Sequence, residues 1–249
     1  MIILKSRQEI EKMRKSNAIV AAILEELRRK IRPGVKTIEL DRLSEEMALK
    51  KGARPAFKGY RGYPYSLCTS VNSEVVHGMP SERELKEGDI ISLDFGILND
   101  GYYGDAAVTV PVGDITPEAG RLLKVTEEAL YKGIAEVKAG NRIGDISAAI
   151  QGHVEAAGYS VVRDLVGHGI GKSLHEDPQV PNYGSGGRGI ELKPGMVIAI
   201  EPMVNEGIYR VEILRDGWTV VTADGKLSAH FEHSVAITDN GAVILSRIG

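Results

Sequence analysis

Apolar residues recur every three or four positions from Ile10 through Met13, Ile19, Val20, Ile23 and Leu24 to Leu27. That spacing predicts a long amphipathic helix at the start of the chain. Ser6-x-x-Glu9 supplies a capping box for its first turn, and Pro33-Gly34 ends it. A second helix is predicted from about Thr37 to Lys51, closed by Gly52. Thr116-Pro117 opens a third, running to about Lys138, and Ile143 to Ala157, closed by Gly158, forms the fourth. Residues 63–112, and the chain from Tyr159 onward, read instead as strands and turns, with Asp216-Gly217 and Asp224-Gly225 among the turns. Helices followed by strands, twice over, predict an α+β fold: a curved, mostly antiparallel sheet with helices covering one face.

Acids interrupt the apolar strand pattern. Asp94 ends the run Ile90-Ile91-Ser92-Leu93, Glu201 ends Met196 to Ile200, and Glu232 opens a run through Val235-Ala236-Ile237. Acids so placed are expected to be partly buried, and a buried charge must be paired, protonated or bound to metal. Arg and Lys are scarce around these runs, which favours metal. Asn99-Asp100-Gly101 is a hairpin signal, and a two-residue loop at 99–100 would set Asp94 directly opposite Asp105. Like charges facing each other across strands repel, and a bridging cation reverses the sign. For this hairpin alone, two solvated acids on an exposed face remain an alternative.

An internal repeat adds weight to the metal reading. Leu85-Lys86-Glu87-Gly88, an apolar strand and Asp94 recur as Leu192-Lys193-Pro194-Gly195, an apolar strand and Glu201. Asp105-Ala106-Ala107-Val108 matches Glu232-His233-Ser234-Val235 after an insertion near 215–226. Two copies of one unit, each delivering two acids, converge on a central pair of cations. The repeat is too long for a solenoid unit, so residues 1–249 read as one domain with pseudo-symmetric halves, about 1–112 and 113–249.

A net charge of −3 without a basic cluster argues against nucleic acid as a direct partner. The lone Cys68 rules out a disulfide framework and fits a reducing compartment. The apolar start, Met1 to Leu4, is too short for a signal peptide, and no stretch could span a bilayer, so a cytoplasmic protein is expected. No exposed heptad is evident, and a monomer is expected.

Lone histidines are more often surface or core residues than catalytic ones. His153, mid-helix with no partner motif, reads that way, and His230 and His233 could lie either at the surface or behind Glu232. His168 and His175 sit seven residues apart in Gly-rich and Pro-flanked segments that bring backbone close to a site.

The chain resembles the type I methionine aminopeptidases of the pita-bread fold over essentially its full length. The resemblance rests on Asn72-Ser73-Glu74-Val75-Val76-His77-Gly78, the Asp94 to Asp105 spacing and Gly167-His168-Gly169-Ile170-Gly171. His175-Glu176-Asp177-Pro178, Glu201-Pro202-Met203 and His230-Phe231-Glu232-His233 complete it. It implies a dinuclear metallohydrolase that removes the initiator methionine from new polypeptides, met at the ribosome. Mixed carboxylate and imidazole ligands suit Co, Mn, Fe or Zn without selecting among them. On the family pattern Asp94 and Asp105 bind one ion, while His168, Glu201 and Glu232 complete the other, with Asp105 and Glu232 bridging. Glu201 would also take the proton of the attacking water, His175 would stabilise the carbonyl oxyanion, and His77 would contact the scissile amide.

The same resemblance places Tyr60, Tyr63, Cys68, Leu174 and Trp218 around an apolar slot for a methionine side chain. Ordinary loop anchoring is the competing role for these aromatics. Gly96 stands where many relatives carry a hydroxyl residue, and its loss is expected to weaken a contact to metal-bound water. Two alternatives stay open: a peptidase of the same fold that cleaves before proline, whose members usually carry a further N-terminal domain, and a metal-free binding module, which would lack the ligands.

Overall fold

The structure is a computed structural model that describes residues 2–247. Met1, Ile248 and Gly249, at the ends of the expected 1–249 domain, lie outside the described residues. The first half holds α1 (Arg7–Lys30), α2 (Thr37–Lys50), β1 (Arg54–Pro55), β2 (Cys68–Val71), β3 (Glu74–Val76), β4 (Ile90–Asn99) and β5 (Tyr102–Pro111). The second half opens with α3 (Pro117–Ala135), α4 (Ile143–Ala156), β6 (Ser160–Val161), β7 (Gly167–Gly169), β8 (Glu176–Val180) and β9 (Val197–Ile200). It closes with β10 (Met203–Asn205), β11 (Val211–Ile213), β12 (Val220–Thr222), β13 (Ser228–His230), β14 (Glu232–Thr238) and β15 (Gly241–Ile244).

The principal sheet runs β1-β4-β5-β14-β9-β7-β8, and its ladders are antiparallel. Its centre mirrors the sequence repeat. β4 and β5 of the first half and β9 and β14 of the second meet at the β5–β14 ladder, where Ala107 faces Glu232. Each half also has its own apolar core. One joins α1 and α2 to β4 and β5, and the other joins α3 and α4 to β9 and β14. The insertion near 215–226 holds most of the loop that joins β11 to β12, β12 itself and the turn that follows it.

The hairpin register differs from the sequence expectation by two residues. Asn99 pairs with Tyr102, so the loop is Asp100-Gly101, and both loop residues have positive φ, 48° and 78°. A type I′ turn demands that conformation at both central positions, which Asp-Gly tolerates better than Asn-Asp. As a result Asp94 faces Ala107 and Asp105 faces Gly96. The two acids are diagonal neighbours on one face of the sheet.

Helix α1 forms as its sequence dictates. The Glu9 N–H donates to Ser6 Oγ, and the Ser6 N–H donates to a Glu9 carboxylate oxygen at 2.8 Å. The Ser6 N–H and the Tyr102 hydroxyl hold the Glu9 carboxyl down at about 2. Its buried stripe includes Met13, Val20, Ile23, Leu24 and Leu27, together with the polar Ser16 and Asn17. Those two polar residues tie the helix to β5. Ser16 Oγ donates to the Tyr102 carbonyl at 3.0 Å, and the Asp105 N–H donates to Asn17 Oδ1 at 3.3 Å. Gly104 permits this approach, because a Cβ there would come within 2.7 Å of the Asn17 backbone nitrogen. Side chains alternate along a strand, so Gly104 faces the helix while Asp105 points to the opposite face.

Gly104→Ala should therefore force α1 off the sheet and lower the unfolding free energy by about 1–3 kcal/mol. Gly120, in α3, has open space around it, with its nearest neighbour Ile115 Cδ1 at 3.9 Å from the added Cβ. Gly120→Ala should instead stabilise by up to about 1 kcal/mol through helix propensity. Urea unfolding of the two variants checks the contrast; a Gly104→Ala protein as stable as the parent would refute the close approach.

Candidate metal centre

The two central strands and the two that flank them deliver the acids. Asp94 comes from β4, Asp105 from β5 and Glu232 from the first position of β14, while Glu201 follows β9 directly. His168 lies in β7, at a register shift against β8. One ligand atom from each of Asp105, His168 and Glu232 lies within 4.8 Å of the others. Asp94 and Glu201 line the same cavity, and Glu201 Oε1 stands 3.6 Å from His168 Nε2.

Burial governs the charge state of this cluster. Asp94 is pushed up to about 7 by desolvation. Desolvation also raises Asp105 well above the usual carboxylate range, with the neighbouring Asp94 adding to it. Glu201 and Glu232 rise in the same way, each feeling Asp94 and Asp105 after its own burial. Asp94 Oδ1, Asp105 Oδ1 and Glu232 Oε1 are buried without a hydrogen-bond partner. Orphaned, mutually repelling carboxylate oxygens beside an imidazole nitrogen fit divalent cations.

His168 presents a bare ring nitrogen to the acids. Its Nδ1 lies 2.8 Å from the Gly169 carbonyl, which can only accept, so Nδ1 carries the proton and Nε2 keeps its lone pair for the cluster. Burial lowers its pKa to about 3, which keeps the ring neutral. His77 is likewise lowered to about 4 by burial, with His175 contributing, and its backbone has a φ of 59°. His175 is lowered by desolvation and by the Arg61 charge, even though solvent reaches its ring.

The four acids and the histidine of the cluster, together with His77, His175, Tyr60, Tyr63, Cys68, Leu174 and Trp218, line one cavity of about 160 Å³. Tyr63, Cys68 and Leu174 are buried in its wall, and Trp218 packs edge-on against Tyr63 with ring centroids 5.1 Å apart. The Tyr63 hydroxyl lies 3.1 Å from the carbonyls of Leu67 and Gly78, so this ring anchors its loop as well as lining the slot.

Two lining residues, Phe57 and Arg61, escaped the sequence reading. Arg61 directly follows Tyr60, and that adjacency is the signal that could have found it. Phe57 carried none, since it reaches the site only because β1 pairs with β4. His230 is resolved in favour of the interior: it is 1 % exposed, with Nε2 3.7 Å from Glu201 Oε2. His233 donates to or accepts from Ser246 Oγ at 2.8 Å, away from the acids. His153, read as an ordinary surface or core residue, lies in α4 with its Nε2 3.1 Å from Glu128.

Residues 11–239 match the model of metallopeptidase family M24. The chain belongs to metallopeptidase family M24. Within the family it stands with the methionine aminopeptidases. It is 57% identical over 248 residues to a methionine aminopeptidase of Clostridium perfringens and 55% identical to methionine aminopeptidase 1 of Bacillus subtilis, with 100% of each chain covered. The crystal structure of methionine aminopeptidase from Thermotoga maritima superposes with a TM-score of 0.98 at 51% identity, covering 100% of both chains. The fold is therefore the pita-bread fold of this M24 family, and the protein is a metal-dependent hydrolase. No helix among the described residues is long and apolar enough to cross a membrane.

The raised carboxylates fix the sign of a pH effect. In protein stripped of metal by chelation these carboxyls bind more protons folded than unfolded from about pH 4, the ordinary carboxylate value, up through the Asp94 value of about 7, whereas the histidines lowered by burial bind fewer below about pH 6.5. The carboxyl contribution to stability is present below the unfolded value and is lost as pH rises through the folded one. The melting temperature of chelated protein should fall from pH 7 to pH 8, where the histidines are neutral in both states, by about 2–4 °C for each kcal/mol lost. Added Mn²⁺ should remove most of the fall, and a chelated profile identical to the loaded one would contradict a shared charge cluster.

Proposed function

We propose that this M24 metallopeptidase hydrolyses the peptide bond after an N-terminal methionine, using two divalent ions held by Asp94, Asp105, His168, Glu201 and Glu232. The observation that carries the reading is the single cavity in which these ligands, His77, His175 and the apolar wall of Tyr63, Cys68, Leu174 and Trp218 come together. Asp105 and Glu232 stand on the paired central strands, and His168 joins them, so these three would hold an ion together. The two halves act as one catalytic unit, because neither half alone supplies a complete ligand set. The substrate is the N-terminus of a new polypeptide, met in the cytoplasm as it leaves the ribosome.

When bound, the ions would polarise the scissile carbonyl and lower the pKa of an attacking water. The remaining work belongs to the chain. Glu201, whose affinity for protons is raised by burial and by Asp94 and Asp105, takes up the proton of the water and can return it to the leaving amine. His175, neutral at physiological pH, donates a hydrogen bond to the carbonyl oxygen as negative charge develops there. His77, also neutral, contacts the scissile amide. The thioether of the substrate lies in the apolar wall, where dispersion and sulfur–aromatic contact with Tyr63 and Trp218 favour it.

Turnover of Met-Ala-Ser by chelated protein during titration with Co²⁺, Mn²⁺, Fe²⁺ or Zn²⁺, beside a panel of X-Pro peptides, tests the reading. Metal-dependent cleavage of the Met peptide alone is expected, and cleavage restricted to X-Pro bonds would replace it with the proline-directed activity. Two substitutions separate ligand from donor. His175→Ala should keep the full metal occupancy seen by calorimetry yet lose about 10²–10³ in kcat. His168→Ala should weaken binding of one ion, with activity partly restored by excess metal. Near-normal turnover of a fully loaded His175→Ala protein would remove the histidine from the mechanism.

A further inference from the structure

Tyr60 lines the cavity, yet its hydroxyl is already committed. It lies 2.8 Å from Nδ1 of His175, with the ring centroids 5.2 Å apart and the planes tilted by 31°. The segment that presents it is built for the purpose. Gly59, Arg61 and Gly62 have φ values of 85°, 49° and 92°, so the chain makes a compact left-handed turn around Tyr60. Four backbone hydrogen bonds hold that turn: Tyr60 N–H to the Phe57 carbonyl at 2.8 Å, Tyr63 N–H to the Tyr60 carbonyl at 2.9 Å, Gly59 N–H to the Tyr63 carbonyl at 2.7 Å and Gly62 N–H to the Gly59 carbonyl at 3.3 Å.

The direction of the Tyr60–His175 bond follows from the chemistry of the two groups. A phenol is the better donor and an unprotonated imidazole nitrogen the better acceptor, so the hydroxyl donates to Nδ1. A neutral imidazole has one N–H, which is then left on Nε2. His168, whose ring centroid is 4.2 Å from that of His175, has the reverse arrangement: its Nδ1 faces a carbonyl, so its proton lies on Nδ1 and its Nε2 is bare. Two adjacent histidines thus meet opposite partners at the same ring atom.

We propose that Tyr60 is a positioning residue that fixes His175 as its Nε2–H tautomer, and that the partners at Nδ1 sort His168 into ligand and His175 into hydrogen-bond donor. The inference rests on the reading of His175 as the donor to the scissile carbonyl. It assigns Tyr60 a role different from lining the methionine slot. The tautomer is a property of the protein by itself, so it can be read without any assumption about substrate.

Nitrogen-15 NMR of the imidazole rings in zinc-loaded protein is the test, with the His175 signals assigned by His175→Ala. The parent should show protonated Nε2 and unprotonated Nδ1 at His175, and the reverse at His168. Tyr60→Phe should move the His175 signals toward a tautomer mixture and leave those of His168 in place. A parent His175 protonated on Nδ1, or a Tyr60→Phe spectrum unchanged at His175, would overturn the proposal. Kinetics on Met-Ala-Ser supply a second readout. Tyr60→Phe should lower kcat about 3–10-fold, the effect of one lost neutral hydrogen bond, with KM within about twofold. It should have no further effect on a His175→Ala background, because the partner is already gone. A KM increase that persists in the double variant would return Tyr60 to the wall of the slot. Should the protein fail to cleave Met peptides at all, the proposed substrate falls while the NMR result still decides the tautomer.

Discussion

Four carboxylates are held in one water-poor cavity, and the rest of the architecture can be traced to that constraint. Left alone, such a cluster opposes folding: each acid loses its hydration and each repels the others, as the raised values of Asp94, Asp105, Glu201 and Glu232 record. Cations convert the same arrangement from a cost into a source of stability. Until they arrive, the acids must be held by covalent and backbone connections rather than by mutual attraction. Central strands of a wide sheet serve this purpose, because their backbone groups are paired on both sides and their cores are packed beneath.

The hold on Asp105 shows how this is done. Asn17 of α1 accepts its N–H, and Ser234 Oγ, from the adjacent half, donates to its carbonyl at 2.8 Å. The residue most deeply shared between the halves is thus gripped by both through its backbone, which leaves the carboxylate free for ligation. A similar logic applies to the segment carrying the two histidines. Lys5 Nζ and Glu176 form an ion pair at 2.6 Å with both side chains nearly out of solvent, and Glu176 also accepts the Ser173 N–H. The start of the chain thereby clamps the segment next to His175. A buried pair of this kind is weak evidence of net stability, but breaking one partner leaves an uncompensated charge, so the segment is held in one place.

What was legible in the sequence was the chemistry of positions, and what was not was their register. Acids at the ends of apolar runs, the repeat of Leu-Lys-x-Gly followed by a strand and an acid, and the helix caps are local patterns, and the elements formed within a few residues of those signals. Pairing Asp94 with Asp105 required choosing which two of Asn99, Asp100 and Gly101 make the turn. That choice depends on backbone conformation, which residue names constrain only weakly, and a turn displaced by one residue shifts the register by two. The side of the molecule on which His230 lies was equally hidden. Its strand β13 pairs with β10, and only that non-local ladder turns the imidazole inward toward Glu201. Phe57 was invisible for the same reason.

Phe57 also changes the meaning of Gly96. Judged from the residue alone, a glycine there subtracts a hydroxyl from the surroundings of Asp105. In the folded protein the space is not empty: a Cβ on Gly96 would lie 2.8 Å from Phe57 Cε1 and 3.1 Å from Asp105 Oδ1. The aromatic ring of Phe57 occupies the volume that a larger residue at 96 would need, so the two positions form one packing unit. An apolar edge near a carboxylate withholds water, which adds to the desolvation that already raises Asp105. The side of Asp105 next to Gly96 is therefore bounded by an apolar edge. A drier wall makes the unligated acid less tolerable and the cation more necessary, which is the same constraint from which the fold of the sheet follows.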